Sequence, residues 1–280
     1  MMSVINKPET AATARLKPDL AGIPETMLWT LYDRAIESKR PDRMFSDPEA
    51  ERIFNSIDYD FEKNYGAPTR LFSVRAMLID AALKKWLARH PNGLVVSLGE
   101  GLETQALRVD NGRMRWLSID LPEAIRTREL FIAPTQRFRH LAANALDPSW
   151  MEDVDPRSGL FIVAQGLFMY LQPSEVQGLF VEIARRFPGA DLIFDVVPRA
   201  MSELTLAGHR QTPHYVIPSM PWGLDRNEIE STLRQWHPGL KRIDFLPYRH
   251  PSRRPALFEK LLDKLSWRRN KLQSLVHVSV

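Results

Sequence analysis

The sequence predicts a doubly wound α/β domain: a mostly parallel sheet closed by an antiparallel C-terminal strand. Three observations carry that reading. After Pro91-Asn92-Gly93 short strands alternate with helical patterns. Several of the strands, such as Leu94–Leu98 and Leu160–Ala164, are apolar on both faces, as buried parallel strands are. The first strand also runs through a glycine-containing turn, Gly99-Glu100-Gly101, into a helix.

The elements follow in order. Residues 1–20 mix charges with prolines and read as a flexible arm; residues 21–280 read as one domain. Pro24 opens a helix in which Met27, Leu28, Leu31, Tyr32 and Ala35 share a face until Pro41 ends it. A second helix covers 48–57 and a third 69–89, so residues 21–90 form a helical cap. Strands are expected at 94–98, 114–119, 138–142, 160–164 and 192–197, with a helix over 175–187. Residues 199–225, rich in proline, histidine and aromatics, break the rhythm and read as a structureless lid or substrate insertion. A helix at 227–236, a strand at 240–246, a helix at 254–265 and an alternating strand at 274–280 complete the chain.

Composition excludes whole classes of chemistry. Among 280 residues there is no cysteine, hence no disulfide, thiolate metal site, iron–sulfur cluster or cysteine nucleophile. The seven histidines offer only the loose His209/His214 pair, so no metal is expected. There is no phosphate-binding GxxxxGK[ST], no HExxH and no GxSxG. The formal charge of +4 comes from the stretch after residue 248, where Arg249–Lys271 holds eight basic residues against Glu259 and Asp263. That stretch reads as a solvated face, and with no stacking aromatics or RNA-binding module no nucleic-acid partner is expected. No apolar run is long enough to span a bilayer and the N-terminus has no secretory core. The reading is a cytoplasmic monomer or homodimer with no membrane partner.

Five positions bear on a ligand. Gly99 and Gly101 let a ligand approach the backbone, but Thr104 stands where a dinucleotide fingerprint has its third glycine. Glu100 would repel a pyrophosphate and suits a ligand with an amine. Asp120, nineteen residues beyond Gly101, is placed to accept from ribose hydroxyls; the alternative is a cap for the helix that follows. Arg75 emerges among Leu71, Phe72, Leu78 and Ile79, and needs an anion, a carboxylate partner or a route to water. An adenosine-type ligand without phosphates, S-adenosylmethionine, fits this set.

These residues resemble the leucine carboxyl methyltransferase family, in particular its bacterial branch of polyketide carboxyl methyltransferases. The likeness rests on Gly99-Glu100-Gly101-Leu102-Glu103-Thr104-Gln105, on Asp120-Leu121-Pro122-Glu123 and on Gln165-Gly166-Leu167-Phe168-Met169-Tyr170-Leu171. It extends through Thr26–Ala35 with Asp47-Pro48 and covers about residues 20–200. The resemblance implies a Rossmann-like methyltransferase domain with S-adenosylmethionine as cofactor. It implies that Arg75 pairs with the methionyl carboxylate, with Arg34 as a second positive group. Gly99 and Gly101 would line the methionine moiety, Asp120 would hold the ribose, Leu121 would pack on adenine, and Asn144 and Ala145 would flank its amino edge. Asn144 replaces the family's aspartate and Gln165 its glutamate; Glu100 replaces a small residue and would face the sulfonium or ammonium in compensation. The implied reaction is O-methylation of a small-molecule carboxylate, which needs no general base. Tyr170, Arg199, His209, Arg210, His214 and Tyr215 are the candidates for gripping the acceptor. Alternatives are a phenolic acceptor with His209 or His214 as base, a protein C-terminal carboxylate, or a sensor that binds the cofactor without turnover.

Overall fold

A computed structural model describes residues 15–246, 248 and 272–280. Most of the expected arm, the basic stretch 249–271 and the helix at 254–265 lie outside the described residues. Seven strands form one sheet in the order β3-β2-β1-β4-β5-β9-β8: β1 (Leu94–Leu98), β2 (Arg115–Asp120), β3 (Phe138–Ala142), β4 (Leu160–Ala164), β5 (Asp191–Val196), β8 (Arg242–Leu246) and β9 (Ser274–Ser279). The first five pair in parallel. β9 runs antiparallel to both β5 and β8. The period of two decides which side chains go where: Leu94, Val96 and Leu98 of β1 enter one core and Val95 the opposite one. β4 divides in the same way, which is why both strands read as continuously apolar.

The strand order reverses between β1 and β4, and such a reversal opens a crevice at the strands' C-terminal ends. Over that crevice sits the cap of α1 (Thr26–Lys39), α2 (Pro48–Ser56) and α3 (Phe61–Tyr65), with the start of α4 (Leu71–Leu87), whose Ile79, Leu83 and Trp86 pack on the sheet. The short α3 was not apparent from periodicity; Asp60 accepts from Lys63 N to start it, and Gly66, at φ 73°, ends it. The cap has a core of its own, built on Leu28, Leu31, Ile53, Phe61 and Tyr65. On the sheet's flanks lie α5 (Gln105–Val109), α6 (Pro122–Glu129) and α7 (Pro173–Arg186).

The segment expected to be structureless is folded. It forms α8 (Arg199–Leu206) and the small hairpin of β6 (Arg210–Thr212) with β7 (Tyr215–Val216), before α9 (Arg226–Trp236). Strands of three and two residues fall below what periodicity reveals, and packing completes them. Tyr215 and Ile217 join the cap's core, while Gln211 and Thr212 donate to the carbonyls of Tyr65 and Asn64. No helix among the described residues is long and apolar enough to cross a membrane.

Candidate functional site

A cavity of about 520 Å³ opens between the ends of β1, β2, β4 and β5 and the cap. Its floor is the glycine turn after β1. Gly99 and Gly101 have φ of 64° and 54°, a region costly for any side chain, and a Cβ on Gly101 would lie 2.8 Å from Met27 Cβ. Asp120 ties the turn to β2: one oxygen accepts from Gly101 N at 2.7 Å and the other from Leu121 N at 2.8 Å. Beyond these two bonds its oxygens meet no backbone amide within α6 among the described residues. Burial pushes its carboxyl above the usual range, against the pull of those two amides.

A clamp from α6 grips the same turn from behind. Arg128 Nη1 donates to the carbonyls of Gly101 at 2.9 Å and Glu103 at 2.6 Å, while Nη2 pairs with Glu100 Oε1 at 3.1 Å. Trp116 Nε1 donates to the other oxygen of Glu100. The expectation that Glu100 faces a cationic ligand is therefore corrected. Both its oxygens are engaged within the protein, because a buried carboxylate beside a buried guanidinium is held by it.

A second buried network joins the turn to the cap. Glu103 meets Arg108 at 2.7 Å and Arg34 at 3.0 Å. Burial would raise its carboxyl, but the two guanidiniums outweigh burial and hold it at about 2. Asp47, which caps α2 through Ala50 N, accepts from Arg34, Arg108 and Thr104. Arg34 thus serves the cap–core junction and does not line the cavity, contrary to its expected place beside a ligand carboxylate.

At the far end lies Arg75, buried as its neighbours foretold. Its Nη1 donates to Asp195 Oδ2 at 2.6 Å, so the plain expectation of a carboxylate partner holds. Asp195 also accepts from Gly166 N at 2.6 Å and from Gln273 Nε2 at 2.8 Å. Arg75 Nε is buried without a partner. So is Gln165 Oε1, while Gln165 Nε2 donates to Glu103 at 3.1 Å. Apart from Arg34, the residues named from sequence for the cofactor line this one cavity: Arg75, Gly99, Glu100, Gly101, Asp120, Leu121, Asn144, Ala145 and Gln165. Asn144 spends one lone pair of its side-chain oxygen on Leu146 N, which fixes the loop after β3.

The remaining wall is largely apolar, with Met27, Trp29, Phe72, Met169, Met201 and Met220. Tyr170 and His209 line it as expected, and burial pushes the Tyr170 phenol up to about 12. The other acceptor candidates are elsewhere. Arg199 pairs with Glu228 at 2.7 Å on the surface, and Arg210 and His214 are exposed. Tyr215 packs edge-on against Tyr65 and Trp29 in the cap's core. Asp195, Arg128 and Gln273 were missed. Asp195 carried a signal, since it is a charged residue inside the apolar run Leu192–Val197. Arg128 carried none that separates it from a solvated arginine at a helix end.

Comparison with known proteins assigns the chain to a family. The model of the leucine carboxyl methyltransferase family matches residues 27–184. The chain is 30% identical over 181 residues to the tetracenomycin polyketide synthesis O-methyltransferase TcmP of Streptomyces glaucescens, which is 64% of this chain and 67% of that one. It is 26% identical over 190 residues to the S-adenosyl-L-methionine-dependent methyltransferase dpfgK of Gibberella zeae, covering 61% and 63% of the two chains. The aligned stretches thus span about two thirds of those relatives. A crystal structure of a methyltransferase-like protein from Thermobifida fusca superposes with a TM-score of 0.58 at 16% identity, covering 94% of this chain and 95% of that one. At that identity the likeness is one of fold.

Proposed function

The chain belongs to the leucine carboxyl methyltransferase family and is an S-adenosylmethionine-dependent methyltransferase, and we propose that it methylates a carboxylate oxygen of a small molecule. One observation supports the cofactor's placement above the others. Two buried polar atoms without partners, the donor Arg75 Nε and the acceptor Gln165 Oε1, belong to residues lining one cavity. Orphaned buried groups are costly, about 1–3 kcal/mol each, and a donor and an acceptor from one cavity's lining complement the carboxylate and ammonium of an amino acid.

On this reading Arg75 takes the methionyl carboxylate and Gln165 the ammonium. Gly99 and Gly101 give the methionine moiety room along the backbone. Asp120 accepts from the ribose, Leu121 covers the adenine, and Asn144 and Ala145 border its edge. When bound, the cofactor supplies a methyl group on a sulfonium: the carbon–oxygen bond forms as the carbon–sulfur bond breaks, with the electron pair staying on sulfur. The protein's part is alignment and the exclusion of water. A carboxylate acceptor is ionised near neutral pH without a base, since its ordinary pKa is about 4. The apolar wall removes water from it and leaves its oxygen the stronger nucleophile.

His209, the imidazole in the cavity lining, favours a hydroxyl acceptor as the second reading. The test is transfer from methyl-labelled cofactor into small acids and phenols. A methyl ester releases labelled methanol in mild alkali; an alkali-stable product assigns the hydroxyl reading instead. Failure of the cofactor to bind in calorimetry overturns both.

A further inference from the structure

Asp195 is a buried carboxylate whose role the transfer reaction leaves open. It stands in β5, with Oδ2 accepting from Arg75 Nη1 at 2.6 Å and from Gln273 Nε2 at 2.8 Å, and Oδ1 accepting from Gly166 N at 2.6 Å. Three donors from three separate segments fix its plane. It touches Arg75 at one nitrogen only, and the guanidinium's other edge, Nε with Nη2, has no hydrogen bond among the described residues. A guanidinium offers two parallel donors along such an edge, the geometry that a carboxylate takes bidentately.

We propose that Asp195 is a positioning residue, holding Arg75 by Nη1 so that its free edge is presented to the cofactor's α-carboxylate. The proposal rests on the cofactor placement given above. Two features support positioning over competition for the same cation. Asp195 uses a nitrogen outside the free edge, so the two carboxylates do not contend for one set of donors. Gly166 also lies against the guanidinium: a Cβ there would be 3.3 Å from Nη1 and Nη2, so the lack of a side chain leaves the arginine room for this orientation.

The experiment compares two ligands that share the adenosine but differ in the amino-acid part. S-adenosylhomocysteine carries the carboxylate; 5′-methylthioadenosine lacks it. Binding of both to the unaltered protein is measured first by calorimetry, and if neither binds, the cofactor placement itself has failed. Asp195→Asn is expected to weaken S-adenosylhomocysteine by ten-fold or more while leaving 5′-methylthioadenosine within two-fold. Equal weakening of both ligands would mean a general structural role, and unchanged or tighter S-adenosylhomocysteine would make Asp195 a bystander or a competitor; either result overturns the proposal. Should Asp195→Asn not fold, Gln273→Leu removes one of the three donors that orient Asp195. It is expected to weaken S-adenosylhomocysteine by two- to five-fold with the same selectivity, and loss of that selectivity likewise overturns the proposal.

Discussion

Arg75 Nη1 and Asp195 Oδ2 lie 2.6 Å apart, with both side chains buried at the edge of the cavity. The two are 120 residues apart in sequence, on α4 and β5, so the pair joins α4 to an interior strand of the sheet. Removing one partner of such a pair costs about 3–5 kcal/mol, because the other is left charged and uncompensated.

Arg75→Lys keeps a cation beside Asp195 but loses the planar fork. We expect S-adenosylmethionine and S-adenosylhomocysteine to bind roughly ten-fold more weakly, which corresponds to about 1.4 kcal/mol. Calorimetry gives the affinities and a melting curve shows whether the fold has held. Unchanged affinity removes Arg75 from the carboxylate site.

The pair of Glu100 with Arg128 is structural. Glu100→Ala should lower stability by about 3–5 kcal/mol in denaturant titration, because Arg128 would stay buried without its anion. Adding Arg128→Met should recover part of that loss, and the double variant should bind cofactor less well since the turn's two carbonyls lose their donor. If Glu100→Ala instead loses cofactor affinity with stability intact, Glu100 contacts the ligand after all.

The two turn glycines should differ in tolerance. A methyl on Gly101 meets Met27 Cβ at 2.8 Å, whereas one on Gly99 meets the Leu167 Cδ1 end at 3.0 Å. The first neighbour is rooted at the backbone and the second can rotate. Both variants bear about 1–2 kcal/mol of left-handed strain, and Gly101→Ala should lose about 1–3 kcal/mol more from overpacking. Equal melting temperatures for the two would contradict this.

Acid should destabilise the protein through Glu103. Its carboxyl titrates at about 2 in the fold against 4.5 ordinarily. The unfolded chain therefore takes up the proton first as pH falls. The stability this group contributes, on the order of 3 kcal/mol, is complete above pH 4.5 and is lost between there and about 2. Glu103→Gln should be less stable at neutral pH and should show a shallower loss through that window, measured by urea titration at several pH values.

Arg199→Ala is expected to leave methyl transfer within two-fold. Its pair with Glu228 is largely exposed, and exposed pairs contribute about 0–1 kcal/mol. A large loss of turnover would place Arg199 on the acceptor's path.

Much of this arrangement is legible in the sequence, and the reason is physical. Strands buried on both faces must be continuously apolar, so β1, β4 and β5 announce themselves. A turn at positive φ demands glycine, so Gly99 and Gly101 mark the crevice, and an arginine among apolar neighbours demands an anion. What escapes is whatever depends on tertiary packing. α3 and the β6–β7 hairpin are too short to show a period and are completed by the cap's core. Glu100 looked like a ligand contact because its partner, Arg128, lies in another helix and has nothing in its local pattern to set it apart. Asp195 broke an apolar strand, a signal that points to a buried partner without naming it.

The junction at Asp47 has a consequence for how the molecule comes apart. The cap's hydrophobic core takes in Leu102, Ala124 and Ile132 from beyond the cap, but apolar contacts of that kind can be given up one at a time. Yet Asp47, Arg34, Arg108 and Glu103 interlock the start of α2 with α1, the glycine turn and α5, all out of water. Detaching the cap would expose or orphan these charges together, a cost that partial opening cannot spread out. The described cap and sheet should therefore unfold as one cooperative unit, with the cavity's floor and roof lost in the same transition.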